Sequence, residues 1–297
     1  MSPEQPAGVE VPASCANLGP GFDALAVAVD LPLRAWTEQP RDGARVRLRG
    51  EGASELPTGD DNLVWQALTA YCEWAGVAVP AVGLAVDNAI PLERGLGSSA
   101  AAAVAGVALG RAATAGGGAD ADLLAIAATF DGHADNVAAA LHGGVVVVAD
   151  GVAHPLPPTE ALRPVLCVPA QRQATHAARG LLSQHVALAD AATTGARAAL
   201  VLAALCGCGA LEAETMRDVL HEPARFEAMP HTAALVGALR EAGLAACLSG
   251  AGPTALAVAH AGDRAAVDRV TRLAGNGWQV HARRWHRAGA QSWLPAP

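Results

Sequence analysis

The chain has 297 residues, of which 52% are hydrophobic, and it carries a formal net charge of −8. This length suits one large domain or two ordinary ones, and the apolar content excludes a disordered chain. The acidic balance and the lack of a basic stripe argue against a nucleic-acid-binding protein. All 20 residues counted as Lys or Arg are arginines. A P-loop nucleotide site and a pyridoxal Schiff base both need lysine, so both are excluded.

The N-terminal residues and the cysteines lead us to expect a cytoplasmic protein. The N-terminus lacks the charged-then-apolar pattern of a signal peptide, and no apolar run reaches the roughly 18 residues needed to span a membrane. Among the six cysteines, only Cys206 and Cys208 are close in sequence, and their spacing does not suit a zinc site. We therefore expect the cysteines to be small buried hydrophobic residues in a reducing compartment, with no membrane partner.

The elements predicted for the first half alternate between strands and helices. The predicted strands cover residues 9–13, 24–29, 45–49, 82–86 and 145–149, and the predicted helices cover residues 63–74, 100–113, 123–129 and 137–141. A Gly/Pro/Asn turn at 17–21 separates the first two strands. Asn62 stands where the N-cap of the first helix is expected.

The second half begins after a segment with three prolines, residues 150–158, which we take as the domain boundary. We accordingly divide the chain into domains of residues 1–155 and 156–297. The second domain is predicted to contain strands at 165–168, 246–248 and 255–258 with one more near the end, and helices at 175–182, 187–205, 212–219, 232–242 and 264–273. This order of elements predicts an α+β fold.

The strongest chemical signal is the segment of residues 91–101, PLERGLGSSAA. Its glycines let the backbone turn several amides toward one point, and the helix that follows directs its free amides and positive dipole end to the same place. Ser98 and Ser99 add hydroxyls that can donate to phosphate or bind Mg²⁺. Taken alone, the segment is equally compatible with an ordinary helix N-terminus capped by one of these serines.

Two further loops are rich in Gly and Pro. Residues 12–23, PASCANLGPGFD, carry Asn17 and Asp23, which can hold the amino and hydroxyl groups of a small substrate. Residues 248–254, LSGAGPT, form a glycine-rich connection between two predicted strands. Taken singly, each loop is also compatible with an ordinary turn.

Together, the three segments resemble the GHMP kinase superfamily, whose three motifs occur in this order, and here they span residues 12–254. The string ASCANLGPGFD resembles the homoserine kinase branch, with Cys15 where that branch usually has Ser or Thr. Residues 131–137, DGHADNV, resemble its Glu-Gly-His-Pro-Asp-Asn-Val segment. Asp131 replaces the usual Glu there, and Ala134 replaces the common Pro.

The resemblance implies a two-domain α+β architecture with the active site in the cleft between the domains. The N-terminal domain would be ribosomal S5 domain 2-like, and the C-terminal domain would be ferredoxin-like. The implied reaction transfers the γ-phosphate of ATP to the hydroxyl of homoserine, a step of threonine biosynthesis, with Mg²⁺ as the metal cofactor. Small-molecule substrates are therefore the expected partners, and a homodimer is implied by analogy alone.

The resemblance also assigns roles to single residues. The implied cofactor-binding residues are Asn62, Pro91, Arg94, Gly95, Leu96, Gly97, Ser98, Ser99 and Ala100. The implied substrate-binding residues are Asn17, Asp23, His133, Asn136, Arg179 and Arg225, with the two arginines holding the carboxylate. Ser98 and Asp131 are the implied Mg²⁺ ligands. Thr175 and Asp135 are the implied catalytic residues, and Thr175 resembles the family's Thr near the phosphoryl site. We expect Asp135 to organise the site rather than to act as a general base.

Two alternatives remain open at this point. One is a GHMP-type kinase for another small alcohol, such as mevalonate or a sugar. The pair Arg179 and Arg225, with Asn17 and Asp23, instead favours a substrate with both a carboxylate and an ammonium group. The other alternative is a non-catalytic sensor on the same fold. The presence of Ser98, Asp131 and Thr175 argues against it.

Overall fold

The computed structural model describes residues 7–40, 44–173, 180, 182–183 and 185–293. These residues form two β-sheets with helices packed against them, as the prediction of an α+β fold requires. The strands are β1 (Gly8–Ala16), β2 (Leu25–Glu38), β3 (Val46–Gly50), β4 (Gly83–Asn88), β5 (Val145–Ala149), β6 (Val152–Leu156), β7 (Leu162–Pro169), β8 (Ala245–Leu248), β9 (Ala255–His260), β10 (Trp278–Ala282) and β11 (Gln291–Ser292). The helices are α1 (Leu63–Ala75), α2 (Ser98–Thr114), α3 (Asp120–Asp131), α4 (Ala134–His142), α5 (Leu188–Leu205), α6 (Glu222–Ala228), α7 (Pro230–Glu241) and α8 (Arg264–Ala274).

The first sheet has seven strands, in the order β11-β1-β2-β4-β3 with the β5–β6 hairpin attached to β2. The long strand β2 pairs with β1, β4 and β5, so it organises the whole layer. Helix α2 is buried against this sheet and against α1. Its small side chains permit a close approach to α1, since a Cβ at Gly106 would meet the side chain of Ala67 at 2.6 Å. Over residues 100–110 the buried side of α2 is therefore packed in the core, whereas Ser98 and Ser99 at its start are more exposed.

The second sheet has four strands in the order β10-β7-β9-β8, and its neighbouring strands are antiparallel. Helices α7 and α8 pack against it through a core that includes Val165, Leu235 and Val270, all of them buried. Beyond β10 the chain returns to the first sheet, where β11 pairs with β1. The division at residue 155 stays a prediction, although residues 291–292 belong to the first sheet by their hydrogen bonds.

Several predicted boundaries are confirmed. Asn62 is the N-cap of α1, and its side-chain oxygen accepts from the backbone N–H of Val64 at 3.0 Å. The predicted strand at residues 145–149 is β5. The proline-rich segment 150–158 is more ordered than a linker, because it contains β6. Pro155 is tolerated there because β6 pairs on one side only, with β5.

The predicted helix at residues 212–219 is wrong, and the short helix α6 was not predicted. The Thr215 hydroxyl donates to the carbonyl of Glu212 at 2.7 Å, and the Asp218 side chain accepts backbone N–H groups of residues 220–222. Such side-chain bonds compete with helical ones, so a turn forms and the helix begins after it. Most of the predicted helix 175–182 lies outside the described residues.

The cysteines partly follow the expectation. Cys15, Cys72, Cys167 and Cys247 are buried, whereas Cys208 is exposed.

Among the described residues, α5 is long and apolar enough to cross a membrane by length and composition alone, which is weak evidence for a span.

Candidate active site

The three glycine-rich loops meet at one point through backbone and side-chain hydrogen bonds. The backbone N–H of Ser14 donates to the carbonyl of Leu96 at 3.1 Å, and that of Gly250 donates to Ala16 at 3.0 Å. The hydroxyl of Ser249 donates to the carbonyl of Gly95 at 2.7 Å. Segments that are far apart in sequence thus form one wall around a shared cavity.

The cavity has a volume of about 130 Å³ and brings together most of the predicted site residues. Those that line it are Asn17, Asp23, Pro91, Arg94, Gly95, Leu96, Gly97, Ser98, Ser99, Asp131, His133, Asp135, Asn136 and Arg225. Asn62 lies instead in a neighbouring cavity. Ala100 is fully buried in the first turn of α2. Thr175 and Arg179 lie outside the described residues.

Glycine is required at two positions of the loop before α2. Gly97, the N-cap of the helix, has φ 68°, and a Cβ there would collide with the Ser14 hydroxyl. Gly95 has φ 71°, and a Cβ there would run into the carbonyls of Ser249 and Gly252. The backbone in this loop therefore adopts a left-handed conformation in a space that no side chain can enter.

The two serines after Gly97 do not act as ordinary helix caps. Ser98 Oγ accepts from the side chain of Asn88 at 3.3 Å, and Ser99 hydrogen-bonds the carboxyl of Asp131. The N-cap itself is Gly97, which has no side chain to occupy the amides of the first turn. The helix N-terminus can therefore offer these amides and its positive dipole end to an anion.

Two carboxyl groups on successive helices face the cavity. Asp131 ends α3, and burial raises the pKa of its carboxyl while His133 and the Ser99 hydrogen bond lower it. Asp135 lies in the first turn of α4 and is 3% exposed. Burial raises the pKa of Asp135 to about 6, and the backbone N–H of Asn136, which donates to it at 2.8 Å, acts in the opposite direction.

Asn17 shapes the loop that carries Asp23. Its amide nitrogen donates to the carbonyl of Gly250 at 2.9 Å, and its side-chain oxygen accepts from the backbone N–H of Asp23 at 3.0 Å. Both Asn17 and Asp23 have positive φ, at 68° and 54°. Non-glycine residues persist in this conformation only where the surrounding contacts enforce it, as is common at binding sites.

Arg225, on α6, contributes a buried cation. The residue is 3% exposed, and its NH1 group donates to the carbonyl of Gly250 at 3.0 Å and to His221 Nδ1 at 3.0 Å. Its guanidinium carbon lies 5.6 Å from the ring centre of Phe22. The side chain is therefore oriented before any ligand arrives.

Arg94 connects the two sheets at the edge of the cavity. Its side chain donates to the carbonyls of Leu92, Pro169 and Ala170, each at 2.9 Å. Pro169 ends β7, so this guanidinium ties the loop before α2 to the second sheet. Three of its five N–H donors are engaged by these carbonyls.

The neighbouring cavity has a volume of about 430 Å³ and shares Ser98 and Ser99 with the smaller one. Leu33, Leu48 and Val86 contribute to its apolar wall. The side chain of Asn62 lies there with both ends engaged, since it caps α1 and donates to the carbonyl of Pro57 at 2.8 Å. Asn62 therefore shapes this cavity through the start of α1.

Four further residues contribute to the site without having been singled out from the sequence. Ser14 Oγ donates to the side-chain oxygen of Asn136 at 2.8 Å. Ser249 and Asn88 hold the loop before α2, and His221 contacts Arg225. Ser14 and Ser249 lie inside the recognised motifs, and His221 precedes Arg225 by the four residues typical of a helical contact.

Comparisons with known proteins find one family over most of the chain. Residues 62–144 match the model of the GHMP kinases N terminal domain, and residues 202–274 match that of the GHMP kinases C terminal domain. The homoserine kinase of Streptomyces avermitilis is 40% identical over 280 residues, which cover 92% of this chain and 91% of that protein. The homoserine kinase of Thermus thermophilus is 44% identical over 264 residues, which cover 87% and 89% of the two chains.

Solved structures of kinases also match this chain over almost its whole length. A crystal structure of homoserine kinase from Cytophaga hutchinsonii matches with a TM-score of 0.83 and 27% identity, and it covers 99% of both chains. A mevalonate kinase structure matches with a TM-score of 0.70 at 11% identity, a likeness that concerns the fold alone. From the two matched domains and the relatives that align over most of both chains, we conclude that the chain belongs to the GHMP kinase family, in the branch of the homoserine kinases.

Proposed function

We propose that the protein transfers the γ-phosphate of ATP to the side-chain hydroxyl of homoserine and forms O-phosphohomoserine for threonine biosynthesis. The observation that carries this proposal is the position of Ser98 and Ser99 on the wall shared by the two cavities. The larger, partly apolar cavity suits a nucleoside, and the smaller, charged one suits an amino acid. The polyphosphate would then lie between them, at the N-terminus of α2.

The charges in the smaller cavity favour a zwitterionic substrate. Arg225 supplies a cation for the carboxylate, with Arg179 as the proposed second one, and Asp23 supplies an anion for the ammonium group. Mevalonate has a carboxylate but no ammonium group, and a sugar has neither. A buried polar group that loses its partner costs about 1–3 kcal/mol, so a site with these charges discriminates against both compounds.

Mg²⁺ is the proposed metal, with Ser98 and Asp131 as its ligands. Among the residues that the structure describes, no group of three or more His, Cys, Asp or Glu side chains could hold a metal ion. Mg²⁺ does not need such a cluster, because one or two carboxylates suffice when substrate phosphates and water complete its shell. Asp131, mostly buried and beside the Ser99 hydroxyl, fits that role. The bound ion would neutralise charge on the phosphates.

The protein's own contribution is positioning and charge neutralisation, which suit the loose transition state of phosphoryl transfer. In this proposal the amides of α2 hold the phosphates, and Asp23, Asn136 and Arg225 orient homoserine. Thr175 is outside the described residues, and its proposed role near the transferred phosphoryl group rests on the family resemblance alone. Asp135 organises this region through the backbone N–H of Asn136 and does not act as a general base. The cytoplasmic location remains an expectation from the N-terminal residues and the cysteines, and a homodimer remains an expectation of the family resemblance.

The test is a substrate panel with purified protein, ATP and Mg²⁺, in which ADP release is followed for homoserine, mevalonate, galactose, serine and threonine. We expect ADP formation with homoserine and near-background rates with mevalonate and galactose. Serine and threonine place the hydroxyl one carbon closer, so transfer to them should be slow because alignment is lost. The Asp23→Asn variant should keep ATP binding and lose its preference for the ammonium group. Faster turnover of mevalonate or a sugar would refute the proposed substrate.

A further inference from the structure

A buried histidine connects the proposed carboxylate-binding arginine to the substrate loop. His221 is 0% exposed and is the N-cap residue of α6, four residues before Arg225. Its Nε2 lies 2.9 Å from the carbonyl oxygen of Gly19, and its Nδ1 lies 3.0 Å from NH1 of Arg225. We propose that His221 is a positioning residue, which orients Arg225 toward the carboxylate of the amino-acid substrate. This inference rests on the proposed function.

The two hydrogen bonds define which ring nitrogen carries the proton. An arginine side chain only donates, so Nδ1 of His221 must accept from Arg225. A carbonyl oxygen only accepts, so Nε2 must carry the hydrogen and donate it to Gly19. The ring is therefore a neutral imidazole in a single tautomer. In this form the ring hydrogen-bonds both the guanidinium of Arg225 and the loop of residues 17–23, and so links the two.

Aromatic packing fixes the orientation of both groups. The imidazole of His221 stacks on the ring of Phe22, with 5.3 Å between the ring centres and 26° between the planes. The guanidinium carbon of Arg225 lies 5.6 Å from the centre of the same ring. Phe22 directly precedes Asp23, so the imidazole, the guanidinium and the proposed ammonium-binding carboxylate share one rigid frame.

The backbone of His221 is held as firmly as its ring. Oδ2 of Asp218 accepts from the backbone N–H groups of Leu220, His221 and Glu222 at 3.0, 2.6 and 2.8 Å. On the other side, NH1 of Arg225 also donates to the carbonyl of Gly250, which accepts from Asn17 as well. The histidine therefore lies at the junction of the first loop, the last loop and α6.

The protonation state agrees with this geometry. Burial lowers the pKa of His221 to about 4, with Asp218 opposing the shift and Arg225 adding to it. The ring therefore stays neutral at neutral pH, where it can accept from the guanidinium. A protonated ring would present an N–H to the cation and lose that bond.

The test compares two variants that separate the bonds from the packing. His221→Phe keeps a ring on Phe22 and loses both hydrogen bonds, whereas His221→Asn keeps an acceptor near the Nδ1 position. We expect His221→Phe to raise KM for homoserine about tenfold or more, because a hydrogen bond to a charged group is lost. KM for ATP should remain unchanged. His221→Asn should recover most of the loss.

A double-mutant cycle with Arg225→Ala asks whether the histidine acts through the arginine. In the Arg225→Ala background, His221→Phe should add little to KM for homoserine. If the two residues acted independently, the factors by which the two substitutions raise KM would multiply. Tyr71→Phe is the matched control, because it removes a hydrogen bond of a fully buried ring to the carbonyl of Gly117 and should leave KM for homoserine unchanged.

The outcomes distinguish this inference from the proposed function. A wild-type protein without homoserine-dependent ADP formation would refute the function, and the cycle would then use whichever alcohol the wild type phosphorylates. If the wild type phosphorylates homoserine at a normal rate, either of two results would overturn the role of His221 alone. One is that the effects of His221→Phe and Arg225→Ala on KM for homoserine multiply in the cycle. The other is that His221→Phe raises KM for ATP as much as KM for homoserine. If His221→Phe does not fold, His221→Asn still decides, since a tenfold loss despite its retained acceptor contradicts the proposal.

Discussion

The hydroxyl of Ser14 donates to the side-chain oxygen of Asn136 at 2.8 Å and so joins two residues that are 122 positions apart. The same hydroxyl and the same amide oxygen are the atoms that a Cβ at Gly97 would meet. Three of the site's segments are thus in van der Waals contact at one position. A change in any of the three therefore alters the contacts that the other two make at this position.

The first prediction concerns Gly97. Gly97→Val should abolish ATP binding, since the new side chain must displace Ser14 or Asn136 and move the loop with it. Calorimetric titration of the folded variant with ATP measures this. Gly76→Val is the matched control, because Gly76 is also left-handed, at φ 65°, but has nothing within 4 Å of its Cβ position. The control should lose about 1–2 kcal/mol of stability and bind ATP normally. Tight ATP binding by Gly97→Val would contradict the proposed phosphate site.

The second prediction concerns the Ser14 hydroxyl. Ser14→Ala should lower kcat/KM for homoserine several-fold, since a typical hydrogen bond contributes about 0.5–1.5 kcal/mol and Asn136 would lose its fixed orientation. Thr232→Val is the control, because this buried hydroxyl donates to the carbonyl of Pro253 and does not line the cavity. It should reduce thermal stability and leave kcat/KM unchanged. Equal kinetics for wild type and Ser14→Ala would show that Asn136 needs no such support.

The third prediction concerns the buried carboxyl of Asp135. Its pKa is raised from 3.8 to about 6, so it favours the folded state most below about pH 3.8, and this contribution is lost as the pH rises through about 6. At pH 8 the ionised group should therefore destabilise the protein, on the order of 2–3 kcal/mol. Asp135→Asn should unfold at a higher temperature than wild type at pH 8 and lose this advantage toward pH 4.

The same variant tests the organising role of Asp135. Asp87→Asn, which changes an exposed carboxylate, is the control and should show no such pH-dependent difference in melting temperature. Activity of Asp135→Asn should fall without becoming zero, because a side-chain amide can still accept from the backbone N–H of Asn136. Complete loss of turnover, with intact substrate binding, would instead assign Asp135 as the base.

Much of this site could be predicted because its chemistry depends on short segments. Gly95 and Gly97 predict a sharp turn of the backbone, and the alanine-rich run after them predicts a helix whose N-terminus lies at that turn. Asn62 is recognisable as a cap for the same local reason. Such features require only neighbours in the sequence, so a single sequence suffices to find them.

Other features depend on partners that are distant in sequence. The family resemblance implies that Arg94 binds the cofactor, but sequence spacing does not reveal that its side chain donates to Pro169 and Ala170 at the end of β7. The spacing of His221 and Arg225 is compatible with a helical contact, but the role of His221 becomes visible only when Gly19 lies beside it. The predicted helix at 212–219 failed because the side chains of Thr215 and Asp218 compete for backbone groups, which apolar periodicity ignores.

The fourth prediction concerns the ion pair between Arg172 and Glu55, which lines the larger cavity. Both guanidinium nitrogens NH1 and NH2 lie 2.6 Å from the carboxylate oxygens, and the next residue, Gln173, donates from its backbone to Glu93. Arg172→Ala should raise KM for ATP by a small factor, since exposed pairs contribute about 0–1 kcal/mol. The difference from wild type should shrink in high salt. KM for homoserine should not change.

A charge-reversed pair is the control for this prediction. The variant Glu55→Arg/Arg172→Glu should restore KM for ATP only in part, because the attraction between the two side chains is rebuilt while the carboxylate of Glu93, 3.9 Å from NH1 of Arg172, then faces a like charge. A lower KM for ATP in Arg172→Ala would mean that the pair obstructs nucleotide entry instead of retaining the nucleotide.

The pairing of β11 with β1 affects how the protein is made. Strand β1 leaves the ribosome long before its outer neighbour at residues 291–292, which pairs with Val9 and Glu10. The N-terminal sheet therefore cannot be completed before residues 291–292 have been translated, and the hydrogen-bonding edge of β1 at Val9 and Glu10 stays uncovered until then. A fragment that ends at residue 155 would keep this edge open permanently and would self-associate more readily than the whole chain.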